Sequence, residues 1–280
     1  SLHDALPILP GLRIGALRWR PDRQVKPADA IDALRGELEK AQDRLTETRQ
    51  QLTAFGIEAT DRQIEQFNTY FELLIETNKS LNLTAITDPH EVAVKHMVDS
   101  LSCLDEDVFT EGATVLDLGT GAGFPGIPLA IMRPDLRITL FDSLHKRLRF
   151  LEGVISQLGL TNVVTLHGRA EETAKLEDYR EQFDIITSRA VARLAVLAEW
   201  SLPFGRVGGY LVALKGAAYE EELQEAKKAL DILGKATVKV KPVTLPTLDD
   251  KRAVLYVKKT APTPKKYPRK PKDIKERPLV

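Results

Sequence analysis

Residues 115–126 read Val115-Leu116-Asp117-Leu118-Gly119-Thr120-Gly121-Ala122-Gly123-Phe124-Pro125-Gly126, an apolar run that breaks into a glycine-rich turn. Gly119, Gly121 and Gly123 are spaced so that a strand can end, turn sharply and enter a helix with no Cβ between the main chain and a ligand. The segment from Gly121 to Gly126 also satisfies the dinucleotide pattern G-x-G-x-x-G, so a nicotinamide or flavin site competes with other nucleoside cofactors. Asp117 shifts the balance. A carboxylate next to the glycine amides suits a cationic ligand such as the amino group of S-adenosylmethionine, and it repels a pyrophosphate. Asp142 ends the next apolar run, Ile138-Thr139-Leu140-Phe141, about 20 residues past the turn, the offset expected of a group that hydrogen-bonds ribose hydroxyls. Both cofactor classes contain ribose, so Asp142 does not separate them. The plain alternative is a tight strand-to-helix turn in which Asp117 caps its own backbone.

Outward from this turn the hydrophobic period alternates. Short β-rich runs at 114–118, 137–141, 163–166, 183–187 and 209–214 are separated by helical stretches near 127–133, 146–158, 194–202 and 219–233. Strict alternation predicts a parallel sheet with helices on both faces. Two last runs, 236–243 and 252–258, have no helix between them and should pair as an antiparallel hairpin. No second mononucleotide-binding half is visible. The expected fold is therefore α/β: a Rossmann-like, seven-stranded class I methyltransferase sheet with a C-terminal β-hairpin, preceded by a small all-helical N-terminal unit.

Residues 1–27 mix proline, glycine and small apolar residues without a period and read as a leader or extension. Ile31, Leu34, Leu38, Ala41, Leu45, Thr48 and Leu52 then alternate steps of three and four, the heptad-like stripe of a helix laid on the body of the protein, with a short self-associating helix as the alternative. A second helix is expected from Asp61 to about residue 79, with Ile64, Phe67, Tyr70, Phe71, Leu74 and Ile75 as its apolar face and Thr60 or Asp61 as cap. Asp88-Pro89 signals another helix start. The expected division is an extension at 1–45, a helical subdomain at 46–110, a cofactor-binding domain at 111–258 and a basic tail at 259–280.

The 280 residues are 43% hydrophobic and 29% charged, ordinary for a globular chain, and no apolar run approaches the roughly 18 residues of a membrane helix. The single cysteine, Cys103, has no ligand-spaced partner, which argues against structural zinc and fits a reducing cytosol. Forty basic residues balance forty acidic ones. The distribution is uneven, since Lys258 to Val280 holds seven Lys and two Arg against Asp273 and Glu276. That tail is a candidate polyanion-binding arm, with a solvated, disordered terminus as the alternative.

The chain also resembles a known family. Asn82-Leu83-Thr84-Ala85-Ile86, His96 with Asp99-Ser100-Leu101, the run from Asp117 to Pro128, Asp142-Ser143 with Lys146-Arg147, Ala170-Glu171-Glu172, Ser188-Arg189-Ala190, Leu214-Lys215-Gly216 and Tyr267-Pro268-Arg269-Lys270 resemble the bacterial small-subunit ribosomal RNA guanine-N7 methyltransferases, RsmG or GidB. The resemblance covers about residues 45 to 280. It implies a cytoplasmic, S-adenosylmethionine-dependent enzyme that methylates N7 of one guanine in 16S rRNA, with the free RNA or a small-subunit precursor as partner. It also implies cofactor contacts from Gly119, Phe124, Asp142, Ala170, Glu171 and Arg189. A monomer without membrane contact is expected.

Guanine N7 carries an in-plane lone pair and no proton, so methyl transfer to it requires no general base. The task is in-line positioning, with positive charge developing on the purine. Arg189, Arg193 and Lys215, at or just past strand ends, are the candidate positioning residues for a phosphate or the guanine O6 edge. Arg193 could instead pair with Glu199 or another acid. Lys146 and Arg147 oppose the dipole of the helix they open and invite a phosphate. His96 reads as a packed or capping residue, and Asn82 as structural or RNA-docking. The competing functions are a methyltransferase for another RNA, a protein or a small molecule, an RNA-binding assembly factor with a vestigial cofactor site, and a dehydrogenase.

Overall fold

The computed structural model describes residues 27–280, so the leader reading of the first residues lies outside it. α1 (Pro27–Ala54) and α2 (Asp61–Leu81) pack together and are followed by α3 (Pro89–Val92), a π-helix (Ala93–Val98) and α4 (Asp99–Leu101). α1 is continuous through residue 45, so the division placed there falls inside a helix. α2 starts with a capping box in which the Thr60 hydroxyl accepts from Gln63 N at 3.3 Å and the Gln63 side chain accepts from Thr60 N at 2.9 Å. Its buried face is Ile64, Phe67, Tyr70 and Leu74. It ends at Asn82, which takes a left-handed φ of 47°. Asp88 caps α3 through Glu91 N at 3.0 Å, ahead of Pro89.

The sheet contains β1 (Thr114–Leu118), β2 (Arg137–Asp142), β3 (Val163–His167), β4 (Phe183–Arg189), β5 (Gly205–Lys215), β6 (Thr237–Val243) and β7 (Arg252–Lys258). Their order is β3-β2-β1-β4-β5-β7-β6, with β1 to β5 parallel and β7 antiparallel to both β5 and β6. This is the single-halved arrangement with a terminal hairpin expected from the sequence. The chain moves outward from β1 to β3 and then returns to place β4 on the other side of β1. The switch point, where open α/β sheets hold their ligands, is at the carboxyl ends of β1 and β4.

Alternate residues of the strands feed two separate cores. Val115, Ile138, Leu140, Ile185 and Val212 face a layer built from α2, α5 (Gly126–Met132) and α6 (His145–Leu158). Leu116, Leu118, Ile186, Leu211 and Leu255 face a layer built from α8 (Leu194–Ser201) and α10 (Lys227–Gly234). Between these lie α7 (Ala170–Thr173), after β3, and α9 (Tyr219–Glu225), which meets α10 at buried Ala226, so that the single helix expected at 219–233 is two. Residues 259–280 are not a solvated terminus: Lys259, Thr263, Tyr267 and Ile274 are buried and Pro271–Glu276 forms α11. No helix among the described residues is long and apolar enough to cross a membrane.

Candidate active site at the carboxyl ends of β1, β2 and β4

The three turn glycines are all left-handed, with φ of +71° at Gly119, +60° at Gly121 and +107° at Gly123. They do different work. A Cβ on Gly119 would stand 2.7 Å from Val191 Cγ2, and one on Gly123 would stand 2.7 to 2.8 Å from Tyr70, Ile127 and Leu151. These two glycines permit close packing. A Cβ on Gly121 would meet only Gly119 O, at 3.9 Å, so that position opens to the crevice. The Tyr70 hydroxyl donates to Ala122 O at 2.6 Å and ties the turn to the helical unit.

Asp117 is fully buried beneath the turn. Its Oδ2 accepts from Thr120 Oγ1 at 2.6 Å and from Gly126 N at 2.9 Å, and its Oδ1 accepts from Thr187 Oγ1 at 3.2 Å. The carboxylate thus joins β1, the turn, the first residue of α5 and β4. It organises the turn from below, in place of the direct contact with a cationic ligand expected from the sequence. Burial pushes its pKa up to about 6, against the pull of those three donors.

Asp142 closes the opposite side. Its Oδ2 accepts from Gly121 N at 3.1 Å and its Oδ1 from Leu144 N at 2.8 Å, which fixes the end of β2 against the turn. Arg147 approaches the same carboxylate at 3.4 Å, so this cation has an internal partner, whereas Lys146 is exposed. After β3, Ala170 and Glu171 are buried in α7, with Arg169 3.6 Å from Glu171.

Phe124 links the turn to the π-helix. Its ring lies 4.5 Å from that of His96 and 5.3 Å from that of Tyr70, and the Arg189 guanidinium lies 4.9 Å from its centroid. Arg189 ends β4 and donates through Nη1 to Lys95 O at 2.8 Å and to Asp99 Oδ2 at 2.9 Å. Its Nη2 lies 3.3 Å from His96 Nδ1, and His96 Nε2 lies 2.8 Å from Thr84 Oγ1. Burial and the Arg189 charge lower the His96 pKa to about 3, so the imidazole is neutral near pH 7. Asp99 also accepts, through Oδ1, from Arg252 Nη1 at 3.1 Å. Arg252 on β7 carried no sequence signal, and Asp99 stood in a quoted run without a role. Asn82 is the left-handed cap of α2.

Arg193 and Lys215 belong to a second network. Arg193 donates to Glu225 at 2.9 Å and to Glu221 at 2.8 Å. Lys215 donates to Glu222 at 2.7 Å and to Ala192 O at 2.6 Å, and Glu222 also accepts from Leu194 N at 2.8 Å. Both cations fasten α9 to the β4–α8 loop. The acid considered for Arg193, Glu199, pairs instead with Arg269 at 2.7 Å. Gly121 is thus joined to Asp142 and Phe124 to Arg189 at the carboxyl ends of β1, β2 and β4, with Ala170 and Glu171 just past β3, while Arg193 and Lys215 are held by three glutamates of α9.

A family model described as rRNA small subunit methyltransferase G (GidB) matches residues 63–251. The ribosomal RNA small subunit methyltransferase G of Lactobacillus johnsonii is 48% identical over 231 residues, covering 82% of this chain and 97% of that protein. The Lachnoclostridium phytofermentans protein of the same name is 50% identical over 220 residues, covering 79% and 91%. The crystal structure of a SAM-dependent methyltransferase from Aquifex aeolicus aligns with a TM-score of 0.45 at 21% identity, over 65% of this chain and 97% of that one. The match over most of the chain, at about half identity to full-length relatives, places this chain in the rRNA small subunit methyltransferase G (GidB) family.

Proposed function

We propose that the protein transfers a methyl group from S-adenosylmethionine to N7 of a guanine in 16S rRNA, free or in a small-subunit precursor, acting as a cytoplasmic monomer. Residues 111–258 would form the catalytic domain and the helical unit before it one wall. The observation that carries the reading is the left-handed Gly121, whose Cβ would meet nothing nearer than Gly119 O at 3.9 Å and whose N–H, donated to Asp142, holds that carboxylate beside the turn. That cradle fits a nucleoside cofactor, with Asp142 at the ribose, Ala170 and Glu171 at the base, and Phe124 and Gly119 along the turn. S-adenosylmethionine supplies an electrophilic methyl group.

Of the three candidate positioning cations, Arg193 and Lys215 are bound by glutamates of α9, whereas Arg189 lies over Phe124 of the turn. Asp99 balances its charge, so the guanidinium can donate hydrogen bonds without opposing the positive charge that builds on the purine. Neutral His96 adds no charge beside it. Since N7 has no proton to lose, the residues need only bind and orient. A second reading, a cofactor-binding RNA assembly factor without turnover, has no observation in its favour.

The test is methyl transfer to isolated small-subunit particles and to free 16S rRNA, with the modified base mapped. Arg189→Ala is expected to lower kcat/KM by about 10²-fold or more, the scale for losing one positioned donor. No 7-methylguanine in either substrate would sink the proposed reaction. Unchanged transfer and unchanged cofactor affinity in Arg189→Ala would remove that residue from it.

A further inference from the structure

Residues 259–280 sort their charges by direction. The anchoring groups point inward: Lys259, 1% exposed, donates from Nζ to Leu202 O at 2.9 Å, Gly205 O at 2.8 Å and Glu181 at 2.6 Å. Glu181 also accepts from Thr263 N at 2.8 Å. Arg180 donates to Thr263 O and Tyr267 O, both at 2.9 Å, and Arg269 grips Glu199 with Nε at 2.9 Å and Nη2 at 2.7 Å. Glu199 is 1% exposed, and Tyr267 and Ile274 are buried. The segment is a strap fastened along its length.

Of the remaining cations, Arg277 pairs with Asp273 and the lysines point outward. Lys265, Lys266, Lys270, Lys272 and Lys275 are all exposed, and among the described residues only Lys272 has an acid within 4.0 Å, Glu276 at 3.9 Å. Five lysines fall within residues 265–275, a concentration of like charge that repels. The chain as a whole is neutral, so this concentration does not follow from composition. The strap's fastening to α8 also locates it. Glu199 is five residues beyond Leu194, which places Arg269 about 7 to 8 Å along the helix from the end nearest the Arg189 crevice.

We propose that residues 259–280 are a prefolded phosphate-binding ridge that seats the backbone of the RNA substrate beside the crevice, with Lys265, Lys266, Lys270 and Lys272 as its contacts. The inference rests on the reading of the protein as an RNA methyltransferase. Lysines act as point charges on phosphates and give position without base selectivity. Because the inward pairs already order the strap, RNA binding does not have to order it, in contrast to a free basic arm.

The test uses the full chain and a fluorescently labelled small-subunit rRNA transcript, with anisotropy measured over a salt series. The variant Lys265→Gln/Lys266→Gln/Lys270→Gln/Lys272→Gln keeps every anchor. It should raise the RNA Kd and KM at least about tenfold, flatten the log–log salt slope by about 3 and leave kcat at saturating RNA unchanged. Unaltered Kd and slope, in a variant that melts and binds S-adenosylmethionine like the parent, overturn the proposal. So does loss of binding to anionic phospholipid vesicles with RNA affinity intact. A second variant, Glu199→Gln/Arg269→Gln, loosens the strap and spares the outward lysines. It should weaken RNA binding several-fold at nearly unchanged slope, and unaltered affinity would refute prefolding. Anisotropy needs no turnover, so a parent that methylates no rRNA guanine would sink the catalytic reading and leave the ridge to stand or fall on its own slope.

Discussion

Asp117→Asn separates the architectural role of the buried carboxylate from its charge. The asparagine carbonyl can occupy the Oδ2 position and accept from Thr120 and Gly126, while its amide nitrogen faces the Thr187 hydroxyl, which can rotate to accept. The turn should survive. What changes is the linkage between folding and pH. In the native state Asp117 titrates near 6 rather than at the ordinary 3.8, so between those values the folded chain holds a proton that the unfolded chain has released. Its contribution is fully present below the unfolded pKa and is lost as pH rises through the folded one. The whole shift corresponds to about 3 kcal/mol, and about 1.4 kcal/mol of it falls between about pH 5 and about pH 7.5. Urea unfolding of parent and variant at those two pH values reads the difference directly, because titrations common to both cancel. The variant should gain about 1.4 kcal/mol relative to the parent across the interval. A parent–variant difference that stays flat with pH would show that Asp117 does not ionise there and would refute the burial argument.

The glycines of the turn should divide by readout. Gly121→Ala should keep the fold at a strain of about 1 kcal/mol but weaken S-adenosylmethionine binding in calorimetry, whereas Gly123→Ala, whose Cβ meets three side chains, should lower the melting temperature first. Asp99→Asn leaves Arg189 without its counter-charge and Arg252 with Asp250 alone, and should destabilise by about 3 kcal/mol or more in urea, with Arg252→Gln costing less and the double variant costing less than the sum of the two. Strictly additive losses would deny the shared site. Lys215→Met should lower stability by about 3 kcal/mol through the Glu222 it abandons, and a raised KM for RNA with unchanged melting would identify Lys215 as an RNA contact instead.

The strands were legible because parallel strands covered on both faces read as unbroken apolar runs, and the turn because three glycines at that spacing have few other uses. The offset of Asp142 marked the end of β2 beside the turn, where its carboxylate accepts from Gly121 N. What sequence could not supply is the partner of each charge. Arg189, Arg193 and Lys215 are the same kind of signal at the same kind of position, yet Glu221, Glu222 and Glu225 neutralise two of them from α9, a helix that reads simply as acidic and exposed. The π-helix was hidden as well, since helical periodicity does not distinguish the wider turn that presents Lys95 O, His96 and Asp99 to one guanidinium. The tail read as a loose arm because its anchors, Arg180, Glu181 and Glu199, lie some 70 to 90 residues away in the chain.

Three aspartates with three different tasks set the geometry of the turn and of Arg189. Asp117 fixes the turn from beneath, Asp142 takes the Gly121 N–H and so pins the end of β2 to the turn, and Asp99 holds Arg189, so this geometry is set before any ligand arrives. Each carboxylate bonds elements that are distant in sequence, which means rim geometry depends on the packing of the whole sheet rather than on a loop. His96 belongs to the same logic. Protonating it would put a second positive charge 3.3 Å from Arg189 in a buried setting, and that repulsion, together with burial, keeps the ring neutral and stacked on Phe124. Around Arg189 the site has fixed direction and a neutral imidazole, as the proposed transfer to an acceptor with no proton to give up would require.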